Sequence, residues 1–139
     1  VNAEDYDRWL GPAQQRAFNP NRFHFNWRWY WDYAGGLMTD WGVHLMDIAL
    51  LGMKAQAPNS VSSLGGAYGY PGSAMETPDT QTAIFDFGDY SVEWEHAVGI
   101  SRGPFGGHDH GVAFVGETGT LVVDRSKWWV SPEISDGTT

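Results

Sequence analysis

Cysteine is absent from the 139 residues, which excludes disulfides, thiolate metal sites and a cysteine nucleophile together. Basic residues are scarce: eight Lys and Arg stand against 17 Asp and Glu, a formal charge of −9. Nucleic acid and anionic membrane both require a basic footprint, so neither is expected as a partner. Long hydrophobic runs are missing too. The longest apolar stretch, about Val43 to Met53, is interrupted by His44 and Asp47 and is too short to cross a bilayer. There is no GxGxxG element and no P-loop, so the chain is not expected to cradle a dinucleotide's phosphates by itself. No Gly-x-Ser-x-Gly elbow is present, which sets aside a serine hydrolase of that type. No signal peptide is visible, and the opening at Val1 without an initiator Met suggests a piece of a longer protein. The compartment is therefore left open.

What the chain does have is length for one domain with a real core, and many aromatic rings: 8 Trp, 6 Tyr and 7 Phe. Such rings serve as core and interface bulk, or as platforms on which the C–H faces of a sugar stack. Composition leaves both uses open.

The most informative run is GGLMTDWGVHLMD at 35–47. Asp40, His44 and Asp47 are spaced four and three apart, which puts them on one stripe of a helix at 3.6 residues per turn. The rest of the helix is largely apolar, through Leu37, Met38, Trp41, Val43, Leu45, Met46, Ile48, Leu50 and Leu51. A buried polar stripe needs partners, and a histidine between two carboxylates can hold and tune a proton. Such a group can take the proton of an alcohol as a hydride leaves the same carbon. Gly35 and Gly36, without side chains, would let a ligand approach the backbone N–H groups at the helix start. The structural alternative is a cap and a satisfied core histidine.

Upstream, a short helical stub around Asp5–Leu10 is halted by Gly11-Pro12. From Arg22 to Asp32 the residues alternate, with Phe23, Phe25, Trp27, Trp29 and Trp31 on one side and Arg22, His24, Asn26, Arg28, Tyr30 and Asp32 on the other. A period of two reads as a strand or extended segment. The helix follows over about Leu37–Met53, with an exit loop at 55–59. Strands are expected over Ser60–Tyr68, Thr80–Phe87 and Tyr90–Val98, the last two joined by the two-residue turn Gly88-Asp89. On the second arm Tyr90, Val92, Trp94, His96 and Val98 share a face. A glycine-rich loop covers Ile100–Gly111. Strands at Val112–Gly116 and Thr120–Asp124 and an edge strand at Trp128–Val130 complete the pattern, before an aperiodic tail from Ser131. His108-Asp109-His110, with His24 or His44, could suggest a metal, but the spacing is undiagnostic and a solvated loop is the simpler account, so no metal is expected. The fold class is thus α+β: a mostly antiparallel open-faced sheet covered on one side by a long helix.

Trp9-Leu10-Gly11-Pro12-Ala13, Phe18-Asn19-Pro20, Arg22-Phe23-His24 and Trp27-Arg28, leading into the 35–47 run, closely resemble the glucose–fructose oxidoreductase / inositol dehydrogenase (Gfo/Idh/MocA) family. Phe114-Val115-Gly116-Glu117-Thr118-Gly119-Thr120-Leu121 is similar to that family's glycine-containing strand turn, so the resemblance runs from about Asp5 to Asp124. Ala34 departs from it, where a third glycine is common. The resemblance implies a single substrate and oligomerisation domain over 1–139, with the N-terminal Rossmann domain and its Glu-Lys-Pro lysine absent. It implies NAD or NADP bound mainly by that missing domain, a sugar, polyol or cyclitol substrate, and a homo-oligomer formed through the open sheet face. Asp40 and His44 become the catalytic candidates. Arg22, His24, Arg28 and Asp47 are candidates for substrate binding, and Gly35 and Gly36 for cofactor contact. The alternative is a non-catalytic carbohydrate-binding or oligomerisation module.

Overall fold

A computed structural model of the chain describes residues 2–103 and 107–133. Helix α1 spans Ala3–Leu10; Asn2 caps it by accepting the Asp5 N–H on Oδ1 at 2.8 Å, and Gly11, at φ +56°, ends it. Tyr6 and Leu10 are its buried residues.

The aromatic segment corrects the expectation of an extended strand. It forms two 3-10 helices, Pro20–Arg22 and His24–Trp29. Asn19 accepts the Asn21 N–H at 2.9 Å, and Pro20 at the first helical position presets the turn. Backbone bonds then run three residues back, from Phe23 to Pro20, Asn26 to Phe23 and Tyr30 to Trp27. The alternation is real in the sequence, yet among the described residues no strand pairs with this segment, and its backbone bonds run within the turns and to residues 76–77.

Helix α2 spans Gly36–Met53, with Gly35 as its N-cap and Lys54 in the left-handed conformation at its end. Among the described residues six strands follow, β1 Ser60–Gly66, β2 Thr80–Asp86, β3 Ser91–Ala97, β4 Val112–Gly116, β5 Gly119–Val123 and β6 Trp128–Pro132. All pair antiparallel, in keeping with the α+β class, but they divide into two three-stranded sheets, β1-β2-β3 and β4-β5-β6. The Gly88-Asp89 turn forms as expected: Asp86 pairs with Ser91, and the Phe87 N–H donates to the Tyr90 carbonyl at 3.0 Å. The tail departs slightly from expectation, since Ser131 and Pro132 finish β6. Residues 134–139 lie outside the described residues, as do 104–106 of the glycine-rich loop.

The core lies between α2 and the sheets. Leu45, Ala83 and Trp94 are buried together, with Met38, Met46, Phe85 and Val112 packed against them. On β3 the buried side chains are Trp94 and His96, as the alternation required, while Ser91, Glu93 and Glu95 are exposed. The opposite face of the first sheet carries Leu64 and Ile84, 75% and 49% exposed. Among the described residues no helix is long and apolar enough to cross a membrane.

Candidate functional site

The site is built where the second 3-10 helix meets the first turns of α2. Arg28 Nε donates to Asp40 Oδ2 at 2.6 Å, both side chains about a quarter exposed. The Arg28 guanidinium lies 4.4 Å from the Phe25 ring centroid and 4.6 Å from that of Trp27. Those rings hold the planar group by cation–π attraction and leave its Nε directed at the carboxylate. The Arg28 Nη1 also donates to the Phe25 carbonyl at 3.2 Å, closing the turn beneath it. Asp40 is thereby an oriented carboxylate with one oxygen committed and Oδ1 left as its other acceptor.

His44, one turn further along α2, is exposed, and so is Asp47. Among the described residues no hydrogen bond or ion pair joins His44 to Asp40 or Asp47. The polar stripe expected to be buried is therefore open to solvent. The apolar remainder is only partly covered: Trp41, Val43, Leu51 and Met53 are 41%, 56%, 79% and 40% exposed.

The remaining candidates fall around this pair without joining it. Arg22 ends the first 3-10 helix, 5.5 Å from the Tyr30 ring, with Nη1 on the Ala17 carbonyl at 3.4 Å. His24, the first residue of the second 3-10 helix, is exposed at φ +51°, its ring edge-on to Phe23. Gly35 donates its N–H to Thr39 Oγ1 at 2.9 Å. Gly36 is buried at φ +69°, and a Cβ there would lie 2.8 Å from Thr77 Oγ1. Both glycines thus have uses inside the fold, and the helix start is closed by Thr39 and Thr77.

The glycine loop reaches the same helix. His110 lies edge-on to Trp41 with ring centroids 5.0 Å apart and bonds Asp109 at 2.8 Å. His108 faces Asp124 at 3.4 Å. Asp124 is held down to about 2 by the Ser126 N–H and hydroxyl and the Lys127 N–H, so it is a turn-closing carboxylate. Among the described residues no group of three His, Asp or Glu side chains could hold a metal ion.

Two buried ionisable groups were not among the candidate site residues, although the alternation of β3 had placed one of them, His96, on its shared face. Asp79, 1% exposed, accepts the N–H groups of Tyr68, Gly69 and Tyr70 and the Thr80 hydroxyl at 2.7–3.0 Å. Burial pushes its pKa up, but the donors from Gly69, Thr80, Tyr70 and Tyr68 together outweigh burial and hold the carboxyl below its ordinary value. His96, beside it, receives the Trp94 indole N–H on Nδ1 at 3.0 Å and faces the Pro78 carbonyl through Nε2 at 3.3 Å. Burial lowers its pKa, against the pull of that carbonyl and of Asp79, so the ring is neutral with its proton on Nε2. Asp after Pro78 in a loop was the available signal, and its burial is set by tertiary packing.

Two surface hollows lie apart from the Asp40–His44 stripe. One, of about 240 Å³, is lined by Phe114, Val115, Leu121 and Val130; the other, of about 350 Å³, by Tyr6, Gln15, Arg16 and Phe18. Residues 1–65 match a family model described as "Oxidoreductase family, C-terminal alpha/beta domain". That span holds α1, both 3-10 helices, α2 and most of β1, and with them every candidate catalytic, substrate and cofactor residue. No curated protein matches the chain.

Proposed function

We propose, from the match of residues 1–65 to the C-terminal alpha/beta domain of the Gfo/Idh/MocA oxidoreductase family, that the chain is the substrate-binding half of a dehydrogenase acting on a sugar or cyclitol hydroxyl. The observation that carries this reading is the Arg28–Asp40 pair, set one turn before an exposed histidine on the same helix stripe. In this reading His44 accepts the proton of the reacting hydroxyl on a ring nitrogen. Asp40, its Oδ2 held by Arg28, presents Oδ1 to orient that hydroxyl or a neighbouring one. Arg22, His24 and Asp47 would supply further substrate contacts in this reading.

The described residues offer a dinucleotide no phosphate cradle: the Gly35 N–H is taken by Thr39, and Thr77 fills the space beside Gly36. NAD or NADP is therefore assigned to a nucleotide-binding domain outside these residues, where it would supply hydride acceptance; Gly35 and Gly36 would meet it only at their outer edge. In that assembly His44→Ala should lower turnover by roughly two to four orders of magnitude, the usual worth of an acid–base group. Steady-state kinetics showing unchanged turnover would remove His44 from the reaction.

The exposure of Phe25, Trp31 and Trp128, at 60–67%, favours a second reading: a non-catalytic carbohydrate-binding module. It requires the chain alone to bind sugars with an affinity indifferent to His44→Ala and lost on Trp31→Ala. Calorimetry against a sugar panel separates the two readings.

A further inference from the structure

The loop between β1 and β2 carries the two most buried polar side chains among the described residues, Thr77 and Asp79, at 2% and 1% exposure. Its last four residues touch every element that bears on the Arg28–Asp40 pair. The Glu76 and Thr77 N–H groups both donate to the carbonyl of Trp29, at 2.9 and 3.2 Å, at the end of the 3-10 helix that carries Arg28. The Glu76 carboxylate accepts the Trp31 N–H at 3.0 Å and Arg16 Nη1 at 3.1 Å; Arg16 in turn pairs with Asp32 at 2.8 Å. Thr77 fills the space beside Gly36, the first residue of α2 and four positions before Asp40. Asp79 fixes the other end, through its own four side-chain acceptances and through the Val98 N–H on its carbonyl at 2.8 Å.

The two halves of the ion pair thus sit on separate elements, and one short segment is fastened to both. From this juxtaposition we propose that Glu76–Asp79 is a strap that sets the Arg28–Asp40 geometry, with Glu76, Thr77 and Gly36 as positioning residues. Its significance for catalysis rests on the oxidoreductase reading; the mechanical claim does not. Thr77 acts by shape, because its buried hydroxyl has no partner among the described residues. Gly36 is required because φ +69° and the approach to Thr77 both disfavour a Cβ. Glu76 acts by fastening the chain on both sides of Tyr30.

The test follows the Arg28 Nε–H of the full chain by proton–nitrogen correlation NMR, which reads the pair directly. Glu76→Ala and Gly36→Ala should make that proton exchange with water at least about tenfold faster. Glu76→Gln, which keeps one acceptor, should give an intermediate rate. Thr77→Val, isosteric and lacking only the unpartnered hydroxyl, should leave it unchanged. Val122→Ala, in the buried centre of the other sheet, controls for general loss of stability and should also leave it unchanged. An Arg28 Nε–H that exchanges at the parental rate in Glu76→Ala overturns the strap, as does one loosened equally by Val122→Ala. Should Gly36→Ala fail to fold, the Glu76 pair decides alone, since that side chain is at the surface. A catalytic failure is distinguishable: if His44→Ala leaves turnover intact while Glu76→Ala loosens Arg28, the function falls and the strap stands.

Discussion

At the scale of single residues, the largest energetic stakes lie at Asp79 and His96 rather than on the candidate helix. Removing the Asp79 carboxylate would strand three buried backbone N–H groups and the Thr80 hydroxyl. Unsatisfied buried partners of a charged group cost several kcal/mol, so Asp79→Ala should lower the unfolding free energy by about 3 kcal/mol at neutral pH, measured by urea denaturation. The pH dependence follows from direction. Asp79 titrates lower in the folded chain than in the unfolded one, whose value is about 3.9. Its contribution is complete above that value and is lost as pH falls through the folded-state value. His96 is also depressed, so the unfolded chain, with an imidazole near 6.5, takes up protons first. Its contribution is complete above about pH 6.5 and declines as pH falls toward the folded-state value. His96→Asn, which can still accept from Trp94, should flatten stability just below pH 6.5, and Asp79→Asn should flatten it below about pH 4. Parental slopes in both variants would exclude these groups as the source.

Among the elements, α2 makes a sign test possible with one substitution at two places. Gly42 is buried mid-helix, and a Cβ there would meet Met38 Sδ at 3.4 Å and the Trp94 ring at 3.5 Å, ordinary contact distances. Gly42→Ala should stabilise by about 0.5–1 kcal/mol, the helix-propensity difference. At Gly52 a Cβ would fall 2.7 Å from the tip of the Phe114 ring. There the displaced ring should outweigh propensity, and Gly52→Ala should destabilise by about 1 kcal/mol. Thermal melts giving the same sign for both would contradict the packing described. The helix and the β2–β3 hairpin were legible because their signals are local: a polar stripe at helical spacing in a largely apolar run, and alternation around Gly88-Asp89. The Arg22–Asp32 segment was misread for the converse reason. Its alternation is as clean as that of β3, but a strand needs a pairing neighbour, and the sequence does not state where neighbours lie. Of the site, the spacing of Asp40 and His44 could be read directly. That Arg28 rather than His44 engages Asp40 depends on how two elements dock, and the proposed strap at 76–79 lies far from both in sequence.

At the scale of the molecule, the described residues form two sheets where one was expected, and among them little covers the outer face of the first. The β1–β2–β3 register places Ser62 and Leu64, Thr82 and Ile84, and Glu93 and Glu95 on that face. A centre of Leu64 and Ile84 flanked by hydroxyls fits a self-complementary patch, and we propose that it pairs two copies of the chain. The glutamates and the net charge of −9 oppose that approach. Association should therefore tighten as salt rises, since the screening length is about 10 Å at 0.1 M and shorter above it. In a two-fold interface each substitution counts on both copies. Leu64→Asp would remove apolar burial and add a charge twice, weakening dimerisation by on the order of a hundredfold or more. A surface control such as Asp47→Asn should be close to neutral if the sheet is the contact, and disruptive if α2 is. Sedimentation velocity across a salt series reads both. A chain that remains monomeric at high concentration and high salt would exclude the sheet face as a self-association surface. The exposed apolar residues of α2, Val43 and Leu51, would then be the next surface to test.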